Sequence, residues 1–278
     1  MYELSDLLYL MERLRNPTTG CPWDLKQDFA TIVPHTLEEA YEVADAIERS
    51  DWPHLEEELG DLMFQVIFCG QMGSEQGHFS VATIIDKLVV KLIRRHPHVF
   101  PGGNLKAERP EDDVWDDEQI SASWNAIKAE EKRQQAQPHS SGALLDDVPN
   151  TLPGLSRAVK LQKKASTVGF DWADTQAVMD KIEEELQEVR VELAAGHQQR
   201  LEAEIGDLLF AVTNLARLKK IDPEVAIRGT NTRFRRRFAY VEQAMKECHD
   251  GFVNASLAQM EAAWQEAKRL EKQGLLPD

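Results

Sequence analysis

An acidic pattern occurs twice in this chain at one internal spacing, and that repeat limits the possible fold more than any other feature. The first copy reads Glu38-Glu39, then Glu42, then Glu58-Leu59-Gly60-Asp61. The second reads Glu184-Glu185, then Glu188, then Glu204-Ile205-Gly206-Asp207. Each acid of the second copy lies 146 positions after its counterpart. The correspondence continues in order beyond the acids. Lys91-Leu92-Ile93-Arg94-Arg95 matches Arg233-Phe234-Arg235-Arg236-Arg237 at an offset of 142, and Trp124 with Lys128 matches Trp264 with Lys268 at an offset of 140. Matches kept in one order over such distances mark a tandem duplication of one domain.

The periodicity of that domain is helical. Leu4, Leu7, Leu8, Met11 and Leu14 recur at helix spacing, and no segment alternates with a period of two. The pattern predicts helices over 4–14, about 36–49 with Thr36 as N-cap, about 54–72, 80–95 and about 119–135. Gly73 to Gly77 read as a loop. After a polar stretch rich in Pro, Gly and Ser the order repeats, with helices over about 155–165, 174–195, 198–219, one opening at Asp222-Pro223, and 256–272. The expected architecture is all-α, with tandem duplicated helical bundle domains over 1–134 and 151–278 and a linker over 135–150. The segment Leu62-Met63-Phe64-Gln65-Val66-Ile67-Phe68-Cys69 carries no charge on any face. Such a helix is usually buried all round, which predicts a largely apolar setting for Glu58 and Asp61.

Residues three apart share a helix face. Glu39 with Glu42 forms one carboxylate pair, and Glu58 with Asp61 forms another on the facing helix of a hairpin. Glu185 with Glu188 and Glu204 with Asp207 repeat the arrangement. Carboxylates on facing helices are how bundles build metal sites. No histidine stands at a ligand position, and all-oxygen ligation favours Mg²⁺ or Mn²⁺ over iron or zinc. Mg²⁺ held by carboxylates keeps open positions for phosphate oxygens, so a phosphate ester or anhydride is the expected substrate. Lys91 with Arg95 and Arg233 with Arg237 are four apart and share a face, which suits phosphate binding. Taken alone, each such face is as readily a solvated surface. No GxxxxGK[ST] loop is present, which argues against a Walker-type NTPase. Glu38 and Glu184 are candidate general bases.

Composition narrows the partners. A net charge of −16 argues against nucleic-acid and membrane-surface binding, which need a positive field. No uncharged apolar run approaches the roughly 20 residues that span a bilayer. The three cysteines, Cys21, Cys69 and Cys248, lack disulfide or zinc spacing, and the expected compartment is the cytoplasm.

These residues resemble a known family. The EExxE and ExxD pattern on two helices with a basic helix following is similar to the MazG family of all-α nucleoside triphosphate pyrophosphohydrolases. Cys21-Pro22-Trp23-Asp24 and Arg94-Arg95-His96-Pro97-His98-Val99-Phe100 add to the likeness, which covers nearly the whole chain outside the linker. The resemblance implies hydrolysis of NTPs or dNTPs to the monophosphate and pyrophosphate with Mg²⁺, in a homodimer. It implies that Glu185, Glu188, Glu204 and Asp207 bind metal, with Glu39, Glu42, Glu58 and Asp61 matching them in the first copy. It further implies that Lys181, Arg200, Arg233, Arg237, Trp264 and Lys268 contact the nucleotide. Glu57 in the first copy stands against Ala203 in the second, so the copies have diverged near the site. The competing expectation is a helical regulator that binds nucleotide or protein without turnover.

Overall fold

The computed structural model describes residues 1–110, 112, 114–135, 143–249 and 251–276. The chain divides into two compact units, Met1–Ala136 and Gln137–Asp278. Unit 1 holds α1 (Leu4–Leu14), α2 (Phe29–Arg49), α3 (Trp52–Glu75), α4 (Val81–Arg95) and α5 (Asp117–Gln135). Unit 2 holds α6 (Gly154–Ser166), α7 (Thr175–Ala195), α8 (Gln198–Leu218), α9 (Pro223–His249) and α10 (Leu257–Lys272). No strand occurs among the described residues, and no helix among them is long and apolar enough to cross a membrane.

In each unit the two acidic helices form a hairpin, α2 with α3 and α7 with α8, and the unit's first helix packs on the hairpin's second arm. The hairpins turn in two residues. Ser50 ends α2 in the left-handed conformation at φ 56°, and Gly196 ends α7 the same way at φ 72°. These positions are also 146 apart, so the turn is duplicated with the ligands it brings together. Glycine suits that conformation and serine is strained in it.

Helix α2 begins at Phe29, a full two turns before the expected start at Thr36. Its N-cap is Asp28, whose carboxylate accepts from Ala30 N at 2.9 Å and Thr31 N at 2.8 Å. Pro34 sits inside the helix and lacks the N–H that would bond the Ala30 carbonyl. The Asp28–Thr31 capping box forms the first turn ahead of that gap. Thr36 caps nothing; its hydroxyl donates to the Ile32 carbonyl at 3.1 Å.

Helix α3 likewise runs on to Glu75, past Gly73, where a loop was expected to open. A Cβ on Gly73 would stand 2.5 Å from the Phe79 ring, and one on Gly70 would collide with the Val81 side chain. These glycines are packing positions, where the start of α4 closes down on α3.

The core of unit 1 joins Met11, Ile32, Ile67, Phe68 and Met72, none more than 3% exposed. Each such side chain contributes about 1.5–3 kcal/mol of burial. In unit 2 the buried set includes Val178, Val241, Met245 and Ala267, and also the polar Gln162, Thr213 and Asn214. Part of the stretch expected as linker belongs to unit 2: Val148 is buried there and Lys164 pairs with Asp147. Residues 136–142 of that stretch lie outside the described residues.

The expectation that the uncharged helix is buried all round holds on one side only. Leu59, Met63 and Val66 of α3 are 46–51% exposed, and their counterparts Ile205, Leu209 and Val212 of α8 are 44–52% exposed. Phe68, on the opposite side, is fully enclosed.

Candidate metal and phosphate site

In unit 1 a carboxylate oxygen from each of Glu39, Glu58 and Asp61 lies within 4.8 Å of the other two. In unit 2 the same holds for Glu185, Glu188 and Glu204. The fourth expected ligand lies outside each trio. Glu42 shares a hydrogen bond with Glu58, and Asp207 lines a cavity together with Glu185. The setting is half apolar: Glu58 and Glu185 are buried, Glu39 and Glu204 half-buried, and Glu42, Asp61, Glu188 and Asp207 exposed. The expectation of a largely apolar environment for Asp61 is therefore corrected, because its side chain is exposed although it points to the same side of α3 as Phe68.

Clustering acids without neutralising them disfavours their charged forms. Burial, then Asp61, Glu42 and Glu58, push the Glu39 carboxyl above its ordinary value. Burial, then Glu42, does the same to Glu58. In unit 2 a hydrogen bond shared with Glu185, followed by burial, raises Glu188. Glu185 Oε2 is buried with no hydrogen-bond partner. A buried carboxylate oxygen without a donor is costly, and a hard divalent cation is the partner that such a group of oxygens fits.

A different basic side chain stands beside each cluster. Lys181 Nζ lies 2.7 Å from Glu185 Oε1 and 2.8 Å from Glu184 Oε1, and the Glu184 hydrogen bond leads in raising its pKa. In unit 1, His54 Nε2 lies 3.2 Å from Glu58 Oε1. The sequence reading missed His54, although it stands one turn before Glu58, where Arg200 stands before Glu204. Arg200 itself is exposed and faces Glu192, 4.0 Å away, on α7. The candidate bases Glu184 and Glu38 are both exposed, and His35 Nδ1 lies 3.8 Å from Glu38.

The basic helices bring a second duplicated feature that the sequence reading overlooked. Arg94 and Arg95 both bind Glu131, with Arg94 Nε at 2.8 Å and Arg95 Nε at 3.1 Å. Arg236 and Arg237 both bind Glu271, at 3.3 Å from Arg236 Nη2 and 3.0 Å from Arg237 Nε. Glu131 and Glu271 are 140 apart, the same offset as the tryptophans, and that offset was the available signal. Arg95 lies over the Trp124 ring at 5.4 Å and Arg237 over the Trp264 ring at 5.7 Å. Arg95 and Arg237 are thus each held by a carboxylate and an aromatic face. Lys128 also lies over the Trp124 ring, at 5.0 Å. Lys91 and Arg233 are exposed, Lys268 is half-buried, and Arg233 Nη2 donates to Thr230 at 2.8 Å.

Fold and site together define an all-helical protein with two carboxylate-lined helix hairpins, each followed by a clamped basic helix. The chain belongs to the MazG family: the MazG nucleotide pyrophosphohydrolase domain matches twice, over residues 27–100 and 173–241. Each match begins just before an acidic hairpin; the first ends shortly after α4 and the second within α9. The chain is 45% identical over 273 residues to the nucleoside triphosphate pyrophosphohydrolase of Escherichia coli strain K12, covering 98% of this chain and 99% of that protein. It is 38% identical over 269 residues to the nucleoside triphosphate pyrophosphohydrolase/pyrophosphatase MazG of Thermotoga maritima, covering 95% of each. It is also 42% identical over 272 residues to the uncharacterized protein YabN of Bacillus subtilis, of which it covers 53%.

Proposed function

We propose that the chain hydrolyses nucleoside triphosphates, with (d)NTP and water giving (d)NMP and pyrophosphate, at a divalent cation held by its acidic clusters. The observation that carries this reading is the unit 2 trio of Glu185, Glu188 and Glu204, with its orphaned buried oxygen. Full-length similarity to proteins named for this activity supports it. The oxygen-only donor set in unit 2 favours Mg²⁺, with Mn²⁺ as the close alternative. A cation bound there supplies Lewis-acid polarisation of the phosphoryl oxygens and neutralises their charge.

The chain's own residues do the rest. Glu185, Glu188, Glu204 and Asp207 hold the cation in unit 2, and Glu39, Glu42, Glu58 and Asp61 form the corresponding set in unit 1. Lys181 stands at the edge of the cluster and offers its ammonium to phosphate. Arg200, Arg233 and Arg237 in unit 2, and Lys91 and Arg95 in unit 1, supply further countercharge to a substrate of three to four negative charges. Trp264 stands beside Arg237, and Trp264 and Lys268 add further contacts to the nucleotide. Glu184 and Glu38 are the candidates to take the proton of the attacking water.

The active assembly in this reading is a homodimer in the cytoplasm, each chain carrying one domain over 1–134 and one over 151–278. The exposed stripe of Leu59, Met63 and Val66, repeated as Ile205, Leu209 and Val212, supports self-association, since solvent is a poor partner for so regular an apolar face. The enzymatic reading is tested by product analysis. Purified protein with Mg²⁺ releases pyrophosphate from an NTP. Orthophosphate as the sole product would sink the assignment.

A further inference from the structure

A cavity of about 570 Å³ opens in unit 2 beside the acidic cluster. Lys181, Glu185 and Asp207 line it where it meets that cluster. Phe170, Trp172, Leu161 and Phe210 form apolar wall. Its remaining polar lining is Gln162 from α6, with Asn214 and Arg217 from α8 and Asp171 from the preceding loop. The volume falls within the range of small-molecule pockets, and the mixture of apolar wall with a few placed polar groups is typical of them.

The two carboxamides are held in defined orientations. Gln162 Nε2 donates to the Phe210 carbonyl at 2.9 Å, so its other end must be the oxygen. That oxygen is buried with no partner, on a side chain only 7% exposed. Arg217 Nε donates to Asn214 Oδ1 at 2.9 Å, which leaves the Asn214 NH₂ end as the donor. Arg217 is itself fixed by its ion pair with Asp171. One unfilled acceptor and one donor on buried amides are unnecessary for packing a core, and an unfilled buried acceptor destabilises it.

Unit 1 provides the internal comparison. At the position of Asn214 it has Phe68, 146 residues earlier, and its first helix contributes Met11. Both are fully buried in the unit 1 core. Where one copy has Phe and Met, the other has Asn and Gln around a cavity.

We propose that this cavity is the nucleoside pocket of the unit 2 site, and that Gln162 and Asn214 are specificity-determining residues whose amides hydrogen-bond the edge of the base. The inference rests on the triphosphate reading above. With the phosphates at the Lys181, Glu185 and Asp207 end, the nucleoside extends between Trp172 and Phe210 toward the amides. A heterocycle presenting an N–H beside an acceptor satisfies both free ends at once.

The test compares nucleotides with inorganic tripolyphosphate, which has the phosphates and no nucleoside. Pyrophosphate release from four NTPs is measured for the full chain and for Gln162→Met, which preserves length and removes the hydrogen-bonding group. Asn214→Asp, which keeps shape and replaces the NH₂ donor with an acceptor, provides a second variant should the first fail to fold. The expected result is a KM for NTPs raised about tenfold or more, with kcat and inhibition by tripolyphosphate unchanged. The base whose KM rises most is the one these amides read. Unchanged KM in both folded variants, or NTP and tripolyphosphate affinities falling together, overturns the pocket assignment. If the unaltered protein releases no pyrophosphate from any NTP, the triphosphate reading fails and this inference with it.

Discussion

Replacing Glu204 with Gln is expected to stabilise unit 2 without metal and to abolish its response to metal. The Glu204 and Glu185 oxygens lie within 4.8 Å of each other. Two like charges at that distance repel by about 3.5 kcal/mol at an effective dielectric of about 20. Glu204 is half-buried, and Lys181 already offsets part of the charge on Glu185, so the recoverable part is on the order of 1 kcal/mol. For a unit of this size that raises the melting temperature by about 3 °C. The assay is thermal unfolding of the full chain in EDTA and again in excess Mg²⁺, with Mn²⁺ titration to count sites. In EDTA the E204Q variant melts above the unaltered chain. In Mg²⁺ its gain is smaller than that of the unaltered chain, and one set of Mn²⁺ sites is lost. A melting temperature that falls in EDTA would mean that the carboxylates do not repel, and hence that no cation is needed to reconcile them. A full complement of Mn²⁺ sites in E204Q would remove Glu204 from the ligand set.

Four further outcomes are expected. Ser50→Gly should stabilise unit 1 by about 0.5–1 kcal/mol in urea unfolding, because Ser50 holds φ 56° where unit 2 uses Gly196; a loss of stability would show that the Ser50 side chain has a role beyond the turn. Phe68→Ala should cost about 3–5 kcal/mol, since the ring is fully buried among Met11, Ile32 and Met72; a cost below 1 kcal/mol would contradict that packing. Asp at both Met63 and Leu209 should convert a dimer to monomer in sedimentation equilibrium, and an unchanged mass would remove the α3 and α8 stripes from the interface. Hydrogen bonds from Arg237 hold the Glu271 carboxyl below its ordinary value of 4.5. The α9–α10 clamp therefore contributes fully above the unfolded-state value and is lost as pH falls through the lower folded one. Glu271→Gln should flatten the acid side of the stability profile, and a profile identical to that of the unaltered chain would show that the clamp contributes nothing.

Much of the site was legible because helix geometry turns sequence spacing into direction. Glu185 and Glu188 share a face by arithmetic alone, and an offset of 146 implied the hairpin that brings Glu204 opposite them. Boundaries were less legible. Thr36 read as a cap and Gly73 as the start of a loop, yet Asp28 caps α2 two turns earlier, and Phe79 needs the glycine's bare backbone. The Arg94–Arg95–Glu131 clamp and its copy on Glu271 were hidden because an acid on a polar helix looks like a solvated face until its partner is known.

The sequence by itself determined the duplication and the all-helical class and singled out eight carboxylates as candidate ligands, since each follows from local periodicity and fixed offsets. Tertiary structure decided what no offset encodes. It buried Glu58 and Glu185 while leaving Asp61 and Asp207 exposed, and it placed His54 on one cluster and Lys181 on the other. It also closed the unit 1 core around Phe68 and Met11 while opening a cavity at Asn214 and Gln162. These differences arise because the side chains that fill or vacate a space come from helices far apart in sequence, and only packing brings them to the same place.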